Sequence, residues 1–193
     1  MARSFPWQLE VLGVATVAVV ALIAGRVRAV DEKAAPPNTE FPQTTIDIGC
    51  FVSDPDASVK FYTQAIGFRE VSPFSVAGDF CKESGLTDGD ALDNIRVLVL
   101  GEGPGATKLK LSSVPGKKAK VGDNAFVSSQ YGFRYLTLHV ADQNVALARL
   151  KKAGVKPLGK GPIAVPKNIA EGIYLTCVRD PDGNIIELVG PKR

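Results

Sequence analysis

The sequence predicts an α+β domain built from two copies of one strand–helix–strands module. A strand pattern that ends on an aspartate occurs at residues 46–54 and again at residues 135–142. Each copy runs directly into an amphipathic helix pattern, and each closes on further strands. Because a single module would leave its sheet half-covered, the two βαβββ units are expected to pair into one mixed sheet with helices on its outer face.

The helices of the two copies have matching start and stop signals. Asp54 is a good N-cap and is followed by Pro55, a residue favoured at the first helical position, and Gly67 ends the pattern. In the second copy Asp142 is the N-cap, and Gly154 ends the helix. The predicted closing strands are 95–100, 107–112, 173–178 and 184–189, with an Asp-Pro-Asp-Gly turn at 180–183.

The first strands alternate in the same way. Their apolar alternates are Ile48, Cys50 and Val52 in the first copy, and Leu136, Leu138 and Val140 in the second. The opposite face carries Asp47, Gly49, Phe51, Lys108, Lys110 and Ser112, and Tyr135, Thr137, His139, Ile185, Glu187 and Val189. A sheet with one face in water would show the same alternation, so the alternation by itself assigns no chemistry to these residues.

The N-terminal residues have the pattern of an export signal. Residues 11–25 form an uncharged apolar run with Arg3 ahead of it. A bilayer-spanning helix needs about 20 apolar residues, so this shorter run fits a signal peptide over residues 1–29 that ends at Ala29. The alternative is an uncleaved N-terminal anchor. Under either interpretation the folded body is expected outside the cytoplasm, in the periplasm or secreted.

The remaining chain divides into a linker and one domain. Residues 30–43, rich in Pro, Ala and charge, are predicted to be a linker. The single domain is predicted over 44–191, with module 1 at 44–113 and module 2 at 133–191. Residues between the modules form a loop.

Charge and cysteine content limit the possible functions. The net charge is +3, and Arg3, Arg26 and Arg28 against Glu10 place most of it in the N-terminal segment. A nearly neutral body predicts no nucleic-acid partner, and the basic run at 117–120 is interpreted as a solvated loop. The three cysteines allow one disulfide with one free thiol, or none, and their spacing predicts no metal site.

Two motifs resemble one protein family. Residues 54–62, followed by Ile66-Gly67-Phe68, are similar to the first module of the vicinal oxygen chelate superfamily, and residues 180–188 resemble its closing strand. That superfamily includes glyoxalase I, methylmalonyl-CoA epimerase, extradiol dioxygenases and bleomycin- or fosfomycin-resistance proteins. The resemblance covers about residues 44–191. It implies that the paired sheets curve into a cup.

The resemblance also implies a divalent metal at the base of the cup, held by His or Gln, Glu, His and Glu. The corresponding positions are Asp47, Lys110, Tyr135 and Glu187. Glu187 matches, and Asp47 is chemically capable of ligation. A protonated Lys110 does not ligate a cation, and a neutral Tyr135 phenol is a poor ligand. We therefore expect a metal-free cup with Lys110 close to Asp47 and Glu187; a divalent metal on those two carboxylates is the alternative.

Three functions are compatible with this cup. The first is a glyoxalase-like lyase or isomerase with Glu187 as general base, and with Tyr135 or His139 as proton donor. His139 lies about 13 Å along the strand from the ligand position, so it is expected to line the cup or its rim. Loss of family-type ligands counts against catalysis.

The second function is small-molecule binding or sequestration. Phe51, Tyr135 and Tyr174 would supply apolar contacts, Thr137 a polar contact, and Lys110 a partner for an anionic group. The third is a structural module with a vestigial cup. The expected partner is a small molecule, with no membrane association after signal removal, and the chain is expected to be a monomer or a homodimer.

Overall fold

A computed structural model describes residues 41 and 43–193. The predicted signal at 1–29 lies outside the described residues, as does nearly all of the predicted linker at 30–43. Within the described part of the chain, no helix is long and apolar enough to cross a membrane.

The elements follow the predicted repeat. Module 1 contains β1 (Asp47–Phe51), α1 (Pro55–Lys60), a π-helical segment (Phe61–Ile66), β2 (Arg69–Val76), α2 (Gly78–Glu83), β3 (Leu92–Leu100) and β4 (Thr107–Ser112). After a short 3-10 turn (Val127–Ser129), module 2 contains β5 (Tyr135–His139), α3 (Gln143–Lys152), β6 (Ile163–Ala164), β7 (Ile173–Arg179) and β8 (Ile185–Pro191). The predicted α+β class with two βαβββ modules is confirmed.

The strand order is the same in both modules. It is β1-β4-β3-β2 in the first sheet and β5-β8-β7-β6 in the second, and the first strand of each module runs parallel to its last. The sequence led us to expect one continuous sheet, whereas the described strands form two four-stranded sheets with β1 and β5 each at an edge. Two open sheets of this kind are compatible with a curved cup.

The predicted helix caps are confirmed. The Asp54 carboxylate accepts hydrogen bonds from two backbone N–H groups of the first turn of α1, both at 3.0 Å. Gly67 ends the π-helical segment with a φ of 101°, in the left-handed region that favours glycine. In α3, the Asp142 carboxylate accepts from the Asn144 N–H at 2.9 Å. These contacts satisfy donors that a helix start otherwise leaves unpaired.

Residues 72–93 contain structure that the sequence did not predict. β2 extends to Val76, and α2 follows it and buries Cys81 completely. The pairing of β2 with β3 has register irregularities between Val71 and Phe74 and again before Val76. Such bulges break the period-2 alternation by which a strand is found in a sequence.

One hydrophobic core joins the two modules. Its largest fully buried apolar side chains are Tyr62, Leu98, Leu109, Leu111, Leu150, Ile186 and Leu188. Across the module boundary, Arg149 Nε donates to the Ala65 carbonyl at 2.9 Å. The buried Gln143 amide donates to the carbonyls of Leu188 (2.7 Å) and Tyr174 (3.0 Å), so α3 is bonded to its own sheet as well.

Candidate functional site

The strand register places the same positions together in both modules. Gly49 pairs with Lys110 across β1 and β4, and Thr137 pairs with Glu187 across β5 and β8. Alternate residues of β1 and β5 are exposed, and they are Asp47, Gly49 and Phe51, and Tyr135, Thr137 and His139. The residues between them pack on the core. The exposed faces predicted for β1 and β5 therefore exist, and we call each of them, with the neighbouring Lys110 or Glu187, the polar face of its module. Ile185, which the sequence placed on the same face of β8, is buried instead.

On module 1 the face is centred on an ion pair. Lys110 Nζ lies 2.9 Å from Asp47 Oδ2, and both side chains are about one-third exposed, at 35% and 36%. Gly49, which pairs with Lys110, has no side chain, and nothing lies within 4 Å of the place where a Cβ would be. The lysine can therefore reach along the strand to Asp47. The expected contact between Lys110 and Asp47 is confirmed.

On module 2 the equivalent carboxylate has a different partner. Thr137 Oγ1 donates to Glu187 Oε2 at 2.8 Å. The expected contact between Lys110 and Glu187 is not formed: among the described residues the only ion pair of Lys110 within 4.0 Å is with Asp47. Lys110 and Glu187 lie on separate sheets, and Glu187 is bonded to Thr137, which stands where module 1 has Gly49.

The remaining predicted site residues are accessible from solvent. Tyr135 is 49% exposed and Phe51 is 44% exposed, and His139 is also exposed. Within the described residues, neither the Tyr135 hydroxyl nor the His139 ring makes a hydrogen bond to another group. Tyr174 lies half-buried on β7. The roles assigned to these side chains from the sequence stay predictions.

The donor set does not fit the divalent metal that the family resemblance implies. The four positions hold an ion-paired lysine, the carboxylate of that pair, an exposed phenol, and a carboxylate bonded to a threonine hydroxyl. Across residues 43–193, no group of three His, Cys, Asp or Glu side chains is placed so that it could hold a metal ion. A lysine in place of an anionic donor adds charge of the wrong sign for cation binding.

A buried carboxylate lies at the boundary between the modules. Asp180, 5% exposed, accepts hydrogen bonds from the Tyr62 hydroxyl (2.8 Å) and from the Asn184 side-chain amide (2.9 Å). Its other oxygen accepts from the backbone N–H groups of Asp182 and Asn184. Burial, together with Asp180, raises the pKa of the Tyr62 hydroxyl above its usual range. The sequence predicted this turn but not its bond to module 1.

The same boundary contains one of three free thiols. Asn184 Nδ2 lies 3.9 Å from Cys50 Sγ. Burial, with smaller contributions from Asp180 and Asp182, raises the pKa of Cys50 to about 11. Burial also raises the pKa of Cys177. The thiols of these two residues are therefore protonated at neutral pH. The sequence left open either one disulfide or none, and in the structure all three cysteines are free thiols.

A cavity of about 580 Å³ opens where β1 ends. We call it the linker cavity because it lies beside the loop that links the two modules, not beside residues 30–43. Its walls are residues 51–53, residues 113–122 of the loop between the modules, and the side chains of Asn124, Gln130, Arg134, Asp182 and Asn184. The basic run at 117–120, interpreted from the sequence as a solvated loop, forms part of this wall. Phe51 belongs both to the polar face of module 1 and to the linker cavity.

Two βαβββ modules with the same strand order define the class of protein to which this fold belongs. The comparisons with known proteins identify the same class. The family model of the Glyoxalase/Bleomycin resistance protein/Dioxygenase superfamily matches residues 45–188. Since this match spans well over half of the sequence, the chain belongs to that superfamily. No curated protein matches the sequence.

Several solved structures match the chain. A glyoxalase family protein from Bacillus cereus has a TM-score of 0.60 and 18% identity, and the match covers 82% of this chain and 100% of that one. A glyoxylase/bleomycin resistance protein/dioxygenase domain from Frankia has a TM-score of 0.50 and 20% identity, covering 76% and 90%. An antibiotic-binding protein from Streptomyces has a TM-score of 0.47 and 23% identity, covering 77% and 95%. At these identities the similarity to the first two structures shows the fold alone.

Proposed function

We propose that the chain is a glyoxalase-like protein that binds a small molecule on the polar faces of its sheets, without a family-type metal ion. The observation that carries this proposal is the ion pair between Lys110 and Asp47, at two of the four positions where the resemblance places metal ligands. A lysine ammonium brings its own positive charge to this place. The degenerate metal site is thus a binding site of another kind.

The ion pair leaves donors available for a ligand. A lysine ammonium has three N–H donors, and Asp47 is the only carboxylate within 4.0 Å of it among the described residues. The free donors can make charge-assisted hydrogen bonds to a ligand oxygen. Phe51, on the same face and nearly half exposed, adds apolar contact area beside them. Polar donors beside an apolar surface are the usual composition of a small-molecule site.

A lyase or isomerase is the second candidate function. The observation that favours it is the hydrogen bond from Thr137, which orients the Glu187 carboxylate on the face that also carries Tyr135 and His139. Glu187 would then act as general base. Loss of turnover in Glu187→Gln with the fold intact would support this candidate, whereas ligand binding without turnover supports the first.

A ligand screen on chelator-treated protein tests the first proposal. Compounds are selected that raise the melting temperature of the full chain in the presence of EDTA. We expect Lys110→Gln to weaken their binding, and Lys152→Gln to leave it unchanged. Lys152 is the control because it is an exposed lysine in the last turn of α3, outside the polar faces. Stabilisation that appears only when a divalent ion is added would overturn the proposal, as would equal losses in the two variants.

We further propose that this domain works outside the cytoplasm. The support is the apolar run at 11–25 with Arg3 ahead of it, which is the pattern of an export signal. Intact mass of the protein from a cell fractionation should give a chain that begins at Val30. A full-length chain in the membrane fraction would indicate the anchored alternative. A full-length chain in the cytoplasm would contradict export.

A further inference from the structure

We propose that the linker cavity binds the acidic head group of a small organic anion, a carboxylate or a phosphate, whose apolar body lies against Phe51. This inference rests on the proposed binding function and names the chemical class of its ligand.

Two arginines hold in place the loop at 123–127, of which Asn124 lines the linker cavity. Arg134 donates to the backbone carbonyls of Asp123 (2.8 Å), Phe126 (3.2 Å) and Val127 (3.2 Å). Arg179 donates to the carbonyls of Asn124, Ala125 and Gly183. The loop at 123–127 is therefore fixed to Arg134, just before β5, and to Arg179 of β7, although it has little regular secondary structure. The part of the lining that Asn124 and Arg134 contribute is thus already formed, which lowers the entropy lost when a ligand binds.

The side chains that line the linker cavity carry more positive than negative charge. Lys117 is neutralised by Asp88, at 3.0 Å, and by Asp90. Within the described part of the chain, neither Lys118 nor Lys120 has a carboxylate within 4.0 Å. Both lysines line the cavity. An anion that enters would meet these two charges.

The remaining charges of the lining leave this excess in place. Arg134 bonds only to neutral carbonyls, so its charge adds to that of the two lysines. Asp182, the single carboxylate of the lining, accepts hydrogen bonds from the Ser53 backbone N–H at 3.2 Å. A site with a net positive lining favours an acidic ligand over a neutral or basic one.

The cavity also offers apolar contacts. Phe51, Val114, Pro115 and Val121 line it, and Phe51 is shared with the polar face of module 1. Phe51 lies two residues from Gly49, the residue that pairs with Lys110, which is about 7 Å along the strand. A ligand with its acid group at Lys118 and Lys120 can thus extend toward the Lys110–Asp47 pair. A volume of about 580 Å³ is within the range of small-molecule sites.

Three probes of similar shape separate the contribution of charge from that of the apolar body. They are naphthoate, naphthyl phosphate and naphthylmethanol, with affinities measured by isothermal titration calorimetry on the full chain. We expect at least one of the two anions to bind about tenfold more tightly than the alcohol, and the preference to fall as salt is added. The difference between the affinities for naphthoate and naphthyl phosphate shows which head group is preferred.

Paired variants locate the charge. In the double variant Lys118→Gln/Lys120→Gln, the anion preference should be lost, with affinity for the alcohol unchanged. Lys118→Arg/Lys120→Arg should retain the preference. The matched control is Lys151→Gln/Lys152→Gln, which removes two exposed lysines from the end of α3, away from the cavity lining. Circular dichroism confirms that each variant is folded.

Three results would overturn the inference. They are equal affinity for anion and alcohol, an equal loss in the α3 control, and no binding of any probe at millimolar concentration. The first two show binding without the proposed charge selection, so they leave the proposed function standing. After the third, the proposed function depends on the screen of chelator-treated protein alone.

Discussion

Lys110 Nζ lies 2.9 Å from Asp47 Oδ2, whereas Glu187, which holds the equivalent place in module 2, accepts a hydrogen bond from Thr137 at 2.8 Å. The two modules share strand order and register, so the contrast comes from side chains alone. Gly49 leaves Lys110 free to reach Asp47, and Thr137 holds Glu187. One face is thereby centred on a lysine–aspartate pair and the other on a carboxylate.

Gly49→Thr should be tolerated by the fold and should impair binding at Lys110. Nothing lies within 4 Å of the added Cβ, and the residue sits in a regular strand, so we expect no loss in the free energy of unfolding and a gain of up to about 1 kcal/mol. The new side chain would stand opposite Lys110 and obstruct its free donors. Urea denaturation and ligand titration measure the two effects.

Gly190→Ala is the contrasting glycine variant. A Cβ at Gly190 would meet the Val140 carbonyl oxygen at 2.0 Å, and backbone cannot move aside as a side chain can. We expect a loss of at least about 2 kcal/mol in the free energy of unfolding. Equal stability losses for Gly49→Thr and Gly190→Ala would contradict the open space beside Gly49.

Tyr62→Phe should weaken the bond between the modules. It removes one of the donors to the buried Asp180 carboxylate and leaves the ring packing in place. The expected loss is about 1–2 kcal/mol in the free energy of unfolding, measured by urea denaturation. Tyr135→Phe removes an exposed hydroxyl and should change stability by less than about 0.5 kcal/mol. A loss in Tyr135→Phe as large as that in Tyr62→Phe would contradict this account of Asp180.

Stability should fall as the pH rises from about 9 toward about 11, in part because of Cys50. Burial raises the pKa of this thiol from 9.0 to about 11, so the unfolded chain loses the proton first and is favoured over this interval. The raised pKa of Tyr62 acts in the same direction above pH 10. Cys50→Ala should therefore show a shallower decline in denaturation experiments across this range. Identical pH profiles for the two proteins would be evidence against a buried, protonated Cys50.

Local sequence patterns predicted the parts of the structure that depend on neighbours along the chain. The caps at Asp54 and Asp142 are of this kind, as are the strand faces. The Lys110–Asp47 pair was also within reach, because both residues fall on one face of strands predicted to belong to the same module. In contrast, bulges concealed the extent of β2, since they interrupt the alternation.

Local sequence patterns did not predict contacts between distant parts of the chain. Nothing local indicates that Asp180 meets Tyr62, or that Lys110 and Glu187 lie on separate sheets. The linker cavity was missed for the same reason. Its wall depends on Arg134 and Arg179 donating to carbonyls of a loop, and backbone carbonyls carry no sequence signature.

The metal content of the full chain tests the central proposal most directly, namely that the site with the Lys110–Asp47 ion pair binds its ligand without a family-type metal ion. The protein is purified without chelator, and its divalent ions are quantified by elemental analysis. The account predicts far less than one ion per chain, with no change in Asp47→Ala or Glu187→Ala. One tightly bound ion per chain, lost in both of those variants, would contradict it.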